Sequence, residues 1–459
     1  MSTVRRPQPP GTVLSLSLLV LLLITACGQQ PSQAPSAAPT SAPAAVAPTS
    51  APAAAPTTAP TTAPANAPQA TPTAAPAAAP TSAAAAAPTA SAATSGGTIQ
   101  IAWAGPLTGD VAEQGQGYVN GIQMAFDEWN AKGGVLGKKL VLKPEDEACD
   151  PKQAATVATK IADDPNNAFL IGHFCSGAML ATGAIYAKVN LPVITLTSNR
   201  KITQSGWNNL FRPFPRDIVQ GKAAVEYPMR KFGAKKFALL NDKQGFAVGI
   251  TDVATEFLQS KGLTITSTGG VEYKDVDYSA VLTKIIQSEN PDVLVYCSNF
   301  NTSAGLMTKQ ARQLGFQGTI AGCDGYLDPN YLKTAGDTAN KVSDQEAVYF
   351  PFQVPPYNGP NAPPAVSEFA QKYKAKFNKD PFNVEVFGYD VGNVVANAIQ
   401  SAGSTDHQKV IDTLHNLGTK GVLIPEYKFD QYGDVTGAPM FIYTVENGEF
   451  KMVEQWKDQ

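Results

Sequence analysis

From residue 98 onward the chain alternates two periodicities. Residues 98–103 alternate as a strand does, a further strand is expected at 140–143, and short apolar runs follow at 169–172 and 191–196; between them the stretches 118–131, 152–162 and 177–188 read as helices. Continuous apolar runs of this length predict strands buried on both faces, and the longer period predicts helices laid against them. Ile122, Ala125, Phe126 and Trp129 share one face of the first helix, which Lys132-Gly133-Gly134 stops, while Asp150-Pro151 caps the second. Residues 104–117, AGPLTGDVAEQGQG, read as a Gly-rich loop. The segment 210–215 is extended, 220–231 is helical, and a second series with the same grammar then begins. Its strands are expected at 236–241, 264–268, 293–296 and 319–322, its helices at 249–261, 279–288 and 302–314. Strands alternating with helices build parallel sheets covered on both faces. The proline-rich stretch 350–364 crosses back to the first series, helices at 365–377 and 385–402 follow, and 441–453 reads as a hairpin turned at Asn447-Gly448. The prediction is an α/β protein of two Rossmann-like lobes, 98–218 plus 347–440 and 219–346 plus 441–459. They face each other across a cleft and are joined by a hinge of several strands.

The first 97 residues follow other rules. Arg5 and Arg6 precede an apolar segment, 13–24, too short to span a bilayer, and Ile24-Thr25-Ala26-Cys27 completes the pattern. This leader, 1–26, resembles a bacterial lipoprotein signal, which implies cleavage before Cys27 and lipid on its sulfur. An ordinary secretory signal cut nearby would instead leave Cys27 a free thiol. Within 27–97 the residues after Cys27 carry no charge and are almost entirely Ala, Pro, Thr and Ser, with a proline at every fourth position from Pro48 to Pro80. That spacing forbids a helix despite the alanine. A disordered tether with polyproline II bias is expected, roughly 200 Å at full stretch at ~3.1 Å per residue.

The remaining 362 residues suffice for two domains with real cores. They hold all 38 acidic residues and, with Arg5 and Arg6 set aside, 33 of the 35 basic ones, a formal charge of −5. A mildly acidic chain without basic runs argues against nucleic acid as a partner. No later apolar run reaches transmembrane length, so lipid on Cys27 is the expected attachment to a membrane. Four further cysteines, an even number in an exported chain, suggest disulfides. Cys149 follows the strand at 140–143 and Cys175 ends the next; parallel neighbours end close together, so these two pair. The same logic pairs Cys297, after 293–296, with Cys323, after 319–322, although two buried free thiols fit this second pair equally well.

The densest chemistry lies between 169 and 200. A strand end, Cys175-Ser176-Gly177, feeds straight into a helix N-terminus, where unsatisfied N–H groups and the positive helix end make an anion site beside a Ser hydroxyl. The next strand ends in Thr197-Ser198-Asn199, adding short donors at the carboxyl edge where open α/β sheets bind ligands. A small carboxylate-bearing solute is the expected guest. Alternatively, Ser176 and Asn199 only cap and turn the chain. Gly115 and Gly117 come one step from a dinucleotide fingerprint, but Asn120 stands at the third position of the GxGxxG pattern, so no nucleotide or other cofactor is expected. His173, His407 and His415 are scattered, none at metal-ligand spacing, and Ser176 in GHFCSG lacks the GxSxG elbow. Neither catalytic residues nor a metal are expected, and His173 reads as a core residue.

Four segments, IQIAWAGPLTGDVAEQGQGYVNGIQMAFDEWNAKGG, DEACDPKQA, IGHFCSGAML and NDKQGFAVG, recur here in one order and spacing. Together they resemble the type I periplasmic binding proteins, specifically the Leu/Ile/Val-binding (branched-chain amino acid) family, over 98 to about 456. The resemblance implies two lobes that close on a free amino acid outside the cytoplasm and deliver it to the membrane subunits of an ABC permease, without catalysis. Carried over by position, Ser176 and the amides from Gly177 onward hold the ligand α-carboxylate, with Thr197, Ser198 and Asn199 completing that half. The family commonly has Thr where Asn199 stands. Asp324, in GCDGY, falls where the family places an acid for the α-ammonium, Glu in the Leu/Ile/Val binders. Phe246 and Phe300 stand where those relatives carry Tyr, and Gln114 where they carry an aromatic. Phe174, Phe246, Phe300 and Phe387 are candidates for an apolar wall, although core packing explains any single Phe at least as well. Asp324 alone could also be a helix cap, as Asp328 before Pro329 is expected to be. The expectation is a monomer that binds an aliphatic L-amino acid; the alternative is a binding protein or sensor for a short amide, urea or aromatic carboxylate.

Overall fold

A computed structural model describes residues 96–457. The leader, Cys27 and the tether up to residue 95 lie outside the described residues. The first series runs β1 (Thr98–Gly105), α1 (Ala112–Ala131), β2 (Lys139–Asp146), α2 (Pro151–Asp163), β3 (Asn167–Gly172), α3 (Ser176–Lys188), β4 (Val193–Ile194), α4 (Arg200–Thr203) and β5 (Leu210–Phe211). Its strands form a parallel sheet in the order β2-β1-β3-β4-β5. The second series runs α5 (Asp217–Phe232), β6 (Lys236–Asn241), α6 (Gly245–Ser260), β7 (Thr264–Gly270), α7 (Ser279–Thr283) with a π turn to Glu289, β8 (Val293–Cys297), α8 (Asn301–Gln313), β9 (Thr319–Ala321), α9 (Pro329–Ala335) and β10 (Val348–Phe352). Then come α10 (Pro364–Phe377), α11 (Glu385–Ala402), α12 (His407–Asn416) and the hairpin β11 (Met440–Glu446) and β12 (Glu449–Trp456). The second sheet has the order β12-β11-β10-β9-β8-β6-β7, parallel from β10 to β7 and antiparallel at the hairpin. Asn447 and Gly448 both adopt positive φ, 54° and 74°, which is what a two-residue hairpin turn requires.

Two lobes therefore stand on two sheets, and the chain passes between them three times. It leaves the first sheet after Phe211, returns after Phe352, and leaves again before Met440. The return differs from the expected boundary at 347, because β10 belongs to the second sheet and pairs with both β9 and β11. Pro351 is tolerated there because β9 ends at Ala321, opposite Tyr349, so no neighbour on that side needs an N–H from residue 351. The first and third crossings are tied by the fully buried Arg212, whose Nε donates to Asp434 Oδ1 at 2.7 Å and whose Nη1 donates to the carbonyl of Asn199 at 2.9 Å. Main-chain bonds Arg212 N to Gly433 O (2.7 Å) and Val435 N to Arg212 O (2.9 Å) reinforce the tie. Gly433, at φ 81°, allows the approach: a Cβ there would sit 2.1 Å from the Leu210 carbonyl oxygen.

The expected Gly-rich loop is shorter than it reads, because α1 begins at Ala112 rather than at 118. Gly115 and Gly117 are inside the helix, where a Cβ would lie 1.6 Å from the Pro106 carbonyl oxygen and 2.8 Å from Val384 Cγ2. They are glycines of close packing, not of a turn. The return segment adds α10–α12, and α11 packs along α1. Cys149–Cys175 is formed as expected, and Cys297–Cys323, which free thiols fitted equally well, is bonded too, with Cα atoms 5.4 and 5.3 Å apart.

Candidate functional site

The carboxyl edge of the first sheet carries an open helix end. The backbone bonding of α3 starts with Met179 N to Cys175 O at 3.1 Å, and no side chain caps the helix, so the earlier N–H groups have no helical acceptor. Ser176 Oγ is buried there without a hydrogen-bond partner, and so is Ser198 Oγ at the end of the next strand. A buried hydroxyl without a partner is costly unless a guest supplies one. Thr197 Oγ1 is already bonded to Thr195 Oγ1 at 2.7 Å.

Across from it, the second sheet offers a carboxylate. Asp324 follows β9 and is half-buried; its Oδ2 accepts Gln220 Nε2 at 2.9 Å and Gln353 Nε2 at 3.5 Å. Burial pushes the carboxyl up from its ordinary range, and these amides with the Gly325 N–H pull it only part of the way back. The Tyr118 hydroxyl is held well above its ordinary range, first by burial and then by the charges of Asp324 and Glu385, so it stays a neutral donor. Ser176, Thr197, Ser198, Asp324 and Gly325 line one cavity of about 60 Å³, room for a small solute and not for a peptide. Its apolar wall is Phe174, Phe214, Phe246, Phe352 and Phe387 with Tyr118, Leu196, Leu327 and Val384; Phe214 and Phe387 meet edge to face at 4.2 Å. Asn299, Asn301, Gln353, Asn383 and Gln114 complete it. Among the lining residues Asp324 is the one charged group, so no cation stands ready for a second anion.

The lobes are closed around this space. Gln114 Nε2 donates to Asp328 Oδ2 at 3.0 Å and Asn301 Oδ1 at 3.3 Å, and Asn383 Nδ2 to the Leu327 carbonyl at 2.9 Å. Asp328 also caps α9, as expected, accepting Asn330 N at 2.7 Å. Three expected ligand residues do not line the cavity. Asn199 caps α4 through Lys201 N at 3.0 Å and donates Nδ2 to the Gly245 carbonyl at 2.6 Å, so it clasps the lobes instead. Phe300 stacks on Tyr273 at 3.6 Å and packs with Val111, Cys149 and Cys175 of the facing lobe. Gly177 sits where α3 and α6 meet, its amide nitrogen 3.2 Å from where a Cβ of Gly245 would be. Tyr118 was missed although it lies one helical turn beyond Gln114 on the same face. Phe214, Phe352 and Gln353 come from or beside the crossings, and Asn383 from the turn between α10 and α11, none of which has a periodicity to read.

A family profile for periplasmic binding proteins matches residues 98–449. The chain belongs to this family, in its type I branch. Among relatives of the binding protein, a leucine-, isoleucine-, valine-, threonine- and alanine-binding protein of Pseudomonas aeruginosa is 30% identical over 350 residues, 75% of this chain and 89% of that one. A leucine-specific-binding protein of Salmonella typhimurium is also 30% identical, over 74% and 88% of the two chains. Crystal structures of the leucine binding protein LivK of Thermotoga maritima and of the branched-chain amino acid transporter substrate-binding protein LivJ of Streptococcus pneumoniae with isoleucine superpose with TM-scores of 0.70 and 0.68. Both are 27% identical and cover 78% of this chain and 98% or 99% of their own. These relatives are solute-binding proteins, not enzymes. In this binding protein the histidines serve the scaffold: His173 Nε2 meets the Tyr186 hydroxyl at 2.8 Å in the core, while His407 and His415 meet the Asn167 and Asn208 carbonyls. No described helix is long and apolar enough to cross a membrane.

Proposed function

We propose that this binding protein captures a free L-amino acid with an aliphatic side chain and hands it to the membrane subunits of an ABC permease. The observation that carries the reading is the opposition of the unpaired Ser176 hydroxyl at an uncapped helix end, with the unpaired Ser198 hydroxyl beyond the next strand, to the Asp324 carboxylate across one cavity. A zwitterion needs both: charge-assisted bonds contribute about 1.5–3 kcal/mol each, and an acid without a nearby cation meets the ammonium. A benzoate could place its carboxylate at the helix end but would bring no cation to Asp324, leaving that acid without a charged partner, and urea would leave the helix end without a charge. The phenylalanines suit an apolar side chain. The relatives named for leucine, isoleucine and valine support the same solute class.

The protein works, on this reading, as a monomer outside the cytoplasm, held to a membrane by lipid on Cys27 and a long tether, with each half of the site carried by one lobe. Calorimetric titration of the purified protein with the twenty amino acids, urea and a set of benzoates tests it. Binding of leucine, isoleucine or valine is expected. Binding of urea or a benzoate with failure of every amino acid overturns the zwitterion site.

A further inference from the structure

We infer that the Cys297–Cys323 disulfide is a positioning device for the second lobe's half of the ligand site, holding the Asp324 loop and the Asn299 loop at one fixed spacing. This deepens the reading given above and rests on it only for the choice of ligand. The parallel ladder of β8 and β9 pairs Val293 with Thr319, Leu294 with Ile320 and Val295 with Ala321. Every pair is offset by 26 residues, and Cys297 and Cys323 are also 26 apart. The disulfide is thus a further rung of the same register, two steps past the last backbone pair, at the sheet edge where the ladder has ended.

At that edge the two strands would otherwise part into separate loops, and each loop carries cavity residues. Asp324 follows Cys323 directly, and Asn299 comes two residues after Cys297. The loops abut without side-chain padding: a Cβ on Gly325 would lie 2.1 Å from the Ser298 carbonyl oxygen. Ser298 N faces Cys323 Sγ at 3.3 Å, while Asp242 holds the same loop through Ser298 Oγ at 2.9 Å and Asn299 N at 3.3 Å. On its other side the disulfide packs with Phe246, a wall of the cavity, at the start of α6. Both cysteines are fully buried, so the bond touches no solvent and reaches the ligand only through these neighbours. Three cavity residues from three elements, Asp324, Asn299 and Phe246, share one covalent support. Sub-ångström placement of an acid decides charge-assisted bonding, which is why a rigid edge matters here more than in the core.

The test compares the full chain with its Cys297→Ala/Cys323→Ala variant, both confirmed folded by circular dichroism at 25 °C. Titration with L-leucine is expected to give a Kd at least tenfold weaker in the variant, and the cost of Asp324→Asn is expected to shrink in that background, because a displaced acid has less to lose. A disulfide that only stabilises the fold lowers the melting temperature and leaves Kd and the Asp324→Asn cost unchanged, and that result overturns the inference. Hydrogen exchange without ligand gives an independent reading. Amides of 298–301 and 324–326 should lose protection in the variant while those of 293–295 and 319–321 keep it; equal protection in both proteins also overturns it. Wild-type protein that binds no amino acid refutes the proposed function, and the exchange experiment then still decides this inference. If the double variant does not fold, Cys297→Ser/Cys323→Ser takes its place in the same titration and exchange measurements, and an unchanged Kd there has the same adverse meaning.

Discussion

Replacing Asp324 by Asn separates binding from folding, because the two respond in opposite directions. The substitution keeps size and one acceptor oxygen and removes the charge. A ligand ammonium within about 4 Å of this carboxylate, at an effective dielectric of ~20, gains about 4 kcal/mol of Coulomb energy before its own desolvation is counted. Desolvated pairs of this kind lose about 2–5 kcal/mol when one charge goes, so about 3 kcal/mol, a factor of about 10² in Kd, is the expected loss. No cation lines the cavity and the partners of Asp324 are amides, so nothing else can compensate. The unliganded fold gains instead. Burial raises the folded-state pKa of Asp324, so the carboxyl favours folding most when protonated, below its unfolded value, and that advantage is lost as pH rises through the folded one. At pH 7 the charge is a burden, and Asn removes it. Calorimetry and thermal melts on the same samples should show affinity falling about 10²-fold with the melting temperature unchanged or higher. A Kd within threefold of wild type would falsify the ammonium role, and a joint fall of affinity and melting temperature would make Asp324 a structural residue.

Other perturbations isolate single features. Phe300→Ala removes an aromatic that spans the lobes outside the cavity, so stopped-flow should show ligand dissociation speeding about tenfold or more with the preference order among amino acids unaltered; a changed order would place the ring against the ligand. Asp390, on the buried face of α11, accepts the Val422 and Leu423 N–H groups and the Tyr427 hydroxyl, yet burial pushes its carboxyl up to about 6. Its protonation therefore favours the fold below about pH 4, and up to about 3 kcal/mol of that is lost as pH rises through 6. Urea denaturation at pH 4.5, 5.5 and 6.5 should show the difference between wild type and Asp390→Asn shifting across that window, and a pH-independent difference would contradict the shift. Arg200 bridges the lobes to Glu256, 2.8 Å from Nη1 to Oε2, but Glu256 is 60% exposed. Arg200→Ala should therefore change Kd less than threefold, and a tenfold loss would mean that closure depends on this pair.

The lobes were legible because their strands are buried on both faces and read as unbroken apolar runs, as Phe169, Leu170 and Ile171 do. What misled were residues whose local meaning is overridden by packing. Gly115 and Gly117 signal a loop, yet α1 keeps them as the only residues that let it touch Pro106 and Val384. Pro351 signals a break, yet it sits in β10 because its β9 neighbour has already ended. Helix α12 escaped notice because ten residues with Val410, Ile411 and Leu414 on one face show too few turns for a period to stand out.

Within the site, Ser176 and Asn199 are alike in chemistry and in their place at a sheet edge, and their fates differ through the backbone that follows each. Asn199 stands just before a helix, where Lys201 N comes back to its side chain, so the local turn consumes it. Ser176 is the first residue inside a helix, and its hydroxyl has no such local partner. The rest of the cavity comes from places with no local signal at all. Phe214 lies on the first crossing between the lobes, and Phe352 and Gln353 on the second. A wall made of hinge segments links ligand fit to lobe angle directly, since any rotation about the crossings moves Phe214 and Gln353 against the guest. Gln353 carries this furthest, for it also donates to Asp324. On the proposed reading, a side chain too large for the cavity would press on the hinge and loosen a bond to the acid assigned to the ammonium, so size discrimination and charge recognition would be one event rather than two.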